Sequence, residues 1–198
     1  MLIEWKIWWT VNDAWGLRMV YYKEMGNNII NNFQDITFLG AQAWRNLKEL
    51  NDIGPKVSGT HENEIIAANM VKSKIEKIIG SANRAQDIEF DHQIVSGSFF
   101  LGFKPSGSTS VYRSVQNLVV KLRGQSEAKN ALMLNCHFDS VYGSYGANDD
   151  LANCAIMLEL MSILSSRDVR VKHDIIFLFN GAEEVGLRAS HGFITKHK

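Results

Sequence analysis

The segment "ALMLNCHFDSVYGSYGANDDLANCAIMLELMSILSS", residues 131–166, decides how the chain folds. It opens on a continuous apolar run that turns polar at Asn135, His137, Asp139 and Ser140, the form of a buried central strand whose carboxyl end carries chemistry. A Gly/Ser/Tyr loop follows. Then Ala152, Ala155, Ile156, Leu158, Leu160, Met161 and Leu164 make a segment too apolar for a solvated helix and suited to packing on a sheet. The loop and its edges hold His137, Asp139, Asp149 and Asp150, so it reads either as a turn dressed with polar residues or as half of a metal site.

Downstream, "HDIIFLFNGAEEVG", residues 173–186, repeats the arrangement: an apolar strand from Ile175 to Phe179 runs into a loop holding Glu183 and Glu184. Strand, helix and strand in this order predict a right-handed crossover, which opens both polar ends on the same edge of a parallel pair. His137, Asp139, Asp149, Glu183 and Glu184 are thereby expected in one crevice. Histidine nitrogen and carboxylate oxygen suit Zn²⁺, and one aspartate can serve two ions because its two oxygens point at separate metals. Adjacent glutamates on an extended segment project in different directions, so one binds metal while the other handles a proton.

Upstream, Ile36, Leu39, Ala43, Leu47 and Leu50 recur at helical spacing and predict a helix from Asp35 to Leu50. "NDIGPKVSGTHENE", residues 51–64, breaks it. Thr60 or His61 is placed to cap a second helix, with an apolar stripe of Ile65, Ile66, Met70, Val71, Ile75 and Ile78 and an end near Gly80. Two β-type runs between Asp87 and Arg123, separated by "KPSGSTS", predict a hairpin or paired strands. The expected fold is α/β, a three-layer sandwich around a central mixed, largely parallel sheet. Residues 1–34 form a leader segment and 35–198 the domain itself.

Composition narrows the function. With 45% hydrophobic and 21% charged residues the chain is ordinary for a globular domain, and 21 basic against 21 acidic residues leave no field to hold nucleic acid or an anionic membrane. In the amino-terminal segment, rich in Trp5, Trp8, Trp9 and Trp15, Glu4, Lys6, Asn12 and Asp13 interrupt any apolar run before the roughly 18 residues of a membrane span. A signal peptide's charged start and cleavage site are also missing. Cys136 and Cys154 are too few for a disulfide scaffold, and a bridge between them and a pair of buried thiols both remain open. Ser140 and Ser144 have no histidine at a recognisable triad spacing, which argues against a serine hydrolase.

"HFDS", then "GANDD", then "FNGAEEVGL", in this order, resemble the zinc aminopeptidase family with two co-catalytic metals, and most closely its endoplasmic reticulum metallopeptidase branch. "LKELNDIGPKVSGTHENE", "QNLVVKL" and "ASHGFITKH" extend the resemblance over roughly residues 40 to 198. By position, the resemblance implies that His137 binds one zinc, Asp149 bridges two, Glu184 binds the other, and Glu183 is the general base. It places Asp139 behind His137, orienting the ring, and implies a cis peptide between Asp149 and Asp150. His191 has no ligand role in it.

The resemblance further implies peptide substrates attacked at their amino ends, a domain in the endoplasmic reticulum lumen, and membrane spans outside this sequence. It completes each metal's ligands with an acidic residue and a histidine beyond Lys198. The chain is therefore expected to be an amino-terminal part of the peptidase domain, with two ligands per metal and weak or absent activity. Two rivals stand beside it. Glutaminyl cyclase shares the fold and uses a single zinc for acyl transfer, although "NDD" in place of an Asp-Ser pair leans against it. A catalytically dead binding module would fold and hold its partner without zinc.

Overall fold

The structure, a computed structural model, describes residues 40–103, 106–125 and 130–197. The leader assigned to 1–34 and the first residues of the helix expected from Asp35, including Ile36 and Leu39, lie outside the described residues. Helix α1 (Gly40–Asn51) turns Ala41, Ala43 and Leu50 inward, as the helical spacing demands. Gly54, at φ +90, reverses the chain after it.

Thr60 caps the next helical run: its hydroxyl accepts the Asn63 N–H at 3.3 Å. The run opens as a π-helical turn (Glu62–Ala67) and passes without a break into α2 (Ala68–Gly80). This turn alters the expected stripe. A π turn carries an extra residue and rotates the face, so Ile65 and Ile66 are exposed while Asn63 and Ala67 point inward. Further along α2, Val71 and Ile75 are buried as the spacing requires.

Strands β1 (Ile88–Phe103) and β2 (Ser106–Leu122) form the hairpin, with "SGSTS" inside β2 rather than in the connection. β3 (Ala131–His137) and β4 (Asp174–Asn180) complete a mixed sheet of order β1-β2-β4-β3. β1–β2 and β2–β4 are antiparallel, and β3–β4 is the parallel pairing among the described residues. A short connection forces the hairpin to be antiparallel. The parallel pair needs a crossover, supplied by the 138–151 segment and α3 (Ala152–Ser166).

Strand alternation sends the two faces to different helices. Leu118, Val120, Leu122, Phe177, Phe179 and Cys136 join Leu50, Val71, Ile75, Leu158 and Met161 in the main core, facing α1, α2 and α3. Each such side chain, when fully buried, contributes roughly 1.5–3 kcal/mol. The opposite face carries α4 (Arg188–Lys196), and Asn117 on that face donates to the Ala189 carbonyl at 2.9 Å. Helices therefore flank the sheet on both sides, and the register His137↔Asn180 ends β3 and β4 level with each other. The loops that follow both strands leave from one edge. None of the described helices is long and apolar enough to cross a membrane.

Candidate metal centre

At the end of β3, His137 is almost fully buried on the α4 side of the sheet, and its ring is held from behind. Nδ1 lies 3.1 Å from the Asp139 carbonyl and 3.5 Å from Asp139 Oδ1. A carbonyl can only accept, so Nδ1 carries a proton there and Nε2 is the ring nitrogen that faces the cluster. Nε2 lies 3.1 Å from Asp149 Oδ1 and 3.7 Å from Glu183 Oε2.

Asp149 stands in a kinked turn (Ala147–Leu151) that runs into α3, its own backbone extended rather than helical at φ −130 and ψ 90. Its peptide bond to Asp150 is cis, as the resemblance implied. The Asp149 side chain is 81% exposed and stays open toward solvent. Asp150 turns the other way: its carboxylate accepts the His137 N–H at 3.3 Å and also the Asn153 amide. It braces the loop. Gly146 makes the turn feasible. At φ +66 its position suits a residue without a side chain, and a Cβ there would stand 2.9 Å from Ser140 Cβ and 3.0 Å from the Asp149 carbonyl.

The two glutamates follow β4 in a tight turn whose Glu183 carbonyl accepts the N–H groups of Gly186 and Leu187. Asp139, fully buried, fixes this turn to the other loop: Oδ1 accepts the Glu183 N–H at 3.0 Å and Oδ2 the Glu184 N–H at 3.1 Å. This tie between the two loops was not legible in the sequence, which gave Asp139 only the histidine as partner. One residue thus serves both, its carbonyl toward the ring and its carboxylate chiefly toward the glutamate backbone.

His137, Asp149 and Glu184 each offer a ligand atom, and these lie within 4.8 Å of one another. The set fits zinc in type, since zinc in catalytic sites is held by histidine nitrogen and carboxylate oxygen. One pair fits in spacing: with zinc bonds of about 2.0–2.2 Å, two ligands of a tetrahedral ion stand about 3.3–3.6 Å apart, near the 3.1 Å between His137 Nε2 and Asp149 Oδ1.

Electrostatics point the same way. Burial pulls the His137 pKa down, but the hydrogen bonds and charge of Asp139, with Glu183 beyond, outweigh it and push the value up to about 9. Burial raises the Glu184 carboxyl, which His137 counters and the charges of Asp149, Asp139 and Glu183 reinforce. Burial likewise raises Asp150, against the hydrogen bonds from Asn153 and His137. A crowd of carboxylates around one imidazole favours a cation at its centre.

The remaining histidines lie elsewhere. His191 bonds through Nδ1 to the Tyr112 hydroxyl at 2.7 Å and stacks on Phe99, outside the group of candidate ligands. His92 pairs with Gln116 and His197 with Gln93. Cys136 and Cys154, both fully buried, form a disulfide with α-carbons 5.4 Å apart, which ties the end of β3 to the first turn of α3. Ser140 donates to the Ser144 carbonyl and accepts the Lys56 N–H, a structural use of its hydroxyl. Sequence reasoning missed Lys56 itself: a lysine in a Gly/Pro turn reads as solvent-facing, yet it is fully buried and burial lowers its ammonium to about 8.

Comparison with known proteins places the chain in a family. The profile of peptidase family M28 matches residues 117–198. Endoplasmic reticulum metallopeptidase 1 of Mus musculus is 43% identical over 160 residues, which cover 81% of this chain and 18% of the relative. The chain thus spans less than one-fifth of that relative's length. Among solved structures, the LapA aminopeptidase of Legionella pneumophila aligns with a TM-score of 0.61 at 20% identity, covering 88% of this chain and 42% of that one. BSAP, a zinc aminopeptidase from Bacillus subtilis, aligns at 0.57 and 14% identity, covering 82% and 66%.

Proposed function

The chain belongs to peptidase family M28, and on that premise we propose that it carries the metal-binding half-site of a zinc-dependent aminopeptidase that removes residues from the amino ends of peptides. The observation that carries this reading is the convergence of His137, Asp149 and Glu184 from two separate loops, with the Glu183 carboxylate beside them. When bound, zinc supplies Lewis acidity, which acidifies water and polarises a peptide carbonyl. His137, Asp149 and Glu184 would hold the zinc, His137 on one ion, Glu184 on a second and Asp149, open to solvent, shared by both.

Glu183 is the general base. Its side chain is 32% exposed, so it reaches both water and the cluster, and it takes a proton from the attacking water and returns it to the departing amine. Asp139 keeps this base in place by holding the Glu183 and Glu184 N–H groups, and its carbonyl keeps the His137 proton on Nδ1. No covalent nucleophile is needed. The name of the mouse relative and the Cys136–Cys154 bridge, a bond that persists in oxidising compartments, both support a site in the endoplasmic reticulum lumen.

Calorimetric zinc titration of the purified protein, run beside release of 4-nitroaniline from aminoacyl substrates, tests the reading. Weak zinc binding with little or no release is expected, any release being abolished by chelator, and the stoichiometry separates one ion from two. A folded protein that binds no zinc overturns it in favour of a binding module. Cyclisation of amino-terminal glutamine without peptide cleavage favours the single-zinc acyltransferase.

A further inference from the structure

We propose that Lys56 is a positioning residue for the metal centre, a buried clasp that closes the 139–146 segment and so sets where Asp139 and Asp149 stand around His137. The inference rests on the reading of His137, Asp149 and Glu184 as metal ligands.

Lys56 touches the segment near both ends. Its backbone N–H donates to Ser140 Oγ and its carbonyl accepts the Ser140 N–H, both at 2.9 Å. Its ammonium donates to the Tyr145 carbonyl at 2.8 Å and to its own turn, at the Gly54 carbonyl, at 2.6 Å. Ser140 follows Asp139 directly, and Tyr145 directly precedes Gly146. The Ser140 hydroxyl closes the segment further by donating to the Ser144 carbonyl at 2.8 Å.

Each gripped end leads to the cluster. At the Ser140 end, Asp139 contacts His137 Nδ1 through its carbonyl and both glutamate N–H groups through its carboxylate. At the Tyr145 end, Gly146 abuts the Asp149 main chain and accepts the Leu151 N–H at 3.0 Å. A shift of the clasp therefore moves Asp149 against His137, although Lys56 bonds to no ligand side chain.

The choice of a lysine supports the role. Burying an ammonium carries a desolvation penalty that an apolar side chain filling the same space avoids. What the ammonium adds is a pair of charge-assisted bonds that join the turn after α1 to the metal loop. A residue that only filled space would not need them.

Zinc affinity, measured by competition with a chromophoric chelator, tests the proposal on wild type, Lys56→Met and a core control, Val71→Ala, whose melting temperature is lowered to a similar extent. Residues that orient metal ligands change affinity by about 10- to 100-fold when replaced. Lys56→Met is expected to bind zinc at least about ten-fold more weakly, and Val71→Ala as wild type does. Should Lys56→Met fail to fold, Ser140→Ala removes the hydroxyl side of the same clasp and carries the same expectation. Binding by either variant that is no weaker than in the control overturns the positioning role alone. A wild type that binds no zinc removes the metal reading, and this proposal with it.

Discussion

Asp139 Oδ1 receives the backbone N–H of Glu183 at 3.0 Å, across 44 positions of sequence. With the companion bond to Glu184, this makes one buried carboxylate the tie between the loop after β3 and the loop after β4. Asp139→Ala leaves both N–H groups without that acceptor and is expected to lower stability by about 2–4 kcal/mol. Amide hydrogen exchange at Glu183 and Glu184 should accelerate in the variant. Unchanged protection there would show that the turn holds its shape without Asp139.

Glu183 and Glu184 are neighbours with separate tasks in the proposed mechanism. Glu183→Gln keeps the side chain's size and removes its basicity, so kcat is expected to fall by about 10²- to 10⁴-fold with zinc retained. Metal analysis of the purified variant decides the assignment. Loss of zinc would make Glu183 a ligand and reverse the roles of the pair.

The Cys136–Cys154 bridge closes a loop that contains His137, Asp139 and Asp149. In the chain-entropy account a bridge of this span stabilises by roughly 3 kcal/mol. Urea unfolding of the Cys136→Ser, Cys154→Ser double variant should show a loss of that order. Two reactive thiols in unreduced, denatured wild type would contradict the bridge.

Asp174 anchors the start of β4 at the edge remote from the metal centre. The Gly124 N–H at 2.8 Å, and then Lys121 at 2.8 Å and Arg123 nearby, hold its carboxyl below the ordinary value of 3.8. A depressed folded value means stability that is present above the unfolded pKa and lost as pH falls through the folded one. Because this edge is partly wetted and charges are screened there, Asp174→Asn is expected to cost only about 1 kcal/mol at neutral pH. The difference from wild type should close below pH 3.8 in acid-unfolding curves. A gap that persists there would assign the effect to packing instead.

Much of this protein was written in local pattern. The apolar runs ending at His137 and Asn180, with an apolar helix between them, specify a parallel pair that opens its polar ends on one edge, and the structure has that pair in register. The expected helix near Leu50 and the β1–β2 hairpin were legible for the same reason: period and turn chemistry act over a few residues. Local pattern also singled out His137, Asp139, Asp149, Glu183 and Glu184 as candidates, because polar residues that follow apolar strands stand out against them.

Tertiary structure alone decided the rest. Ile65 and Ile66 fit an apolar stripe, yet a π turn brings Asn63 inward, where its amide donates to the Gly181 carbonyl at 2.8 Å, 118 positions away. Lys56 carries no local sign of burial, and its partners include Ser140 and Tyr145, 84 and 89 positions on. The double grip of Asp139 on the glutamate turn is of the same kind. Hydrophobic periodicity fixes which face of an element is buried, because burial is averaged over many residues. A polar side chain's role depends on one or two directed hydrogen bonds to distant backbone, and these exist only once the elements have packed.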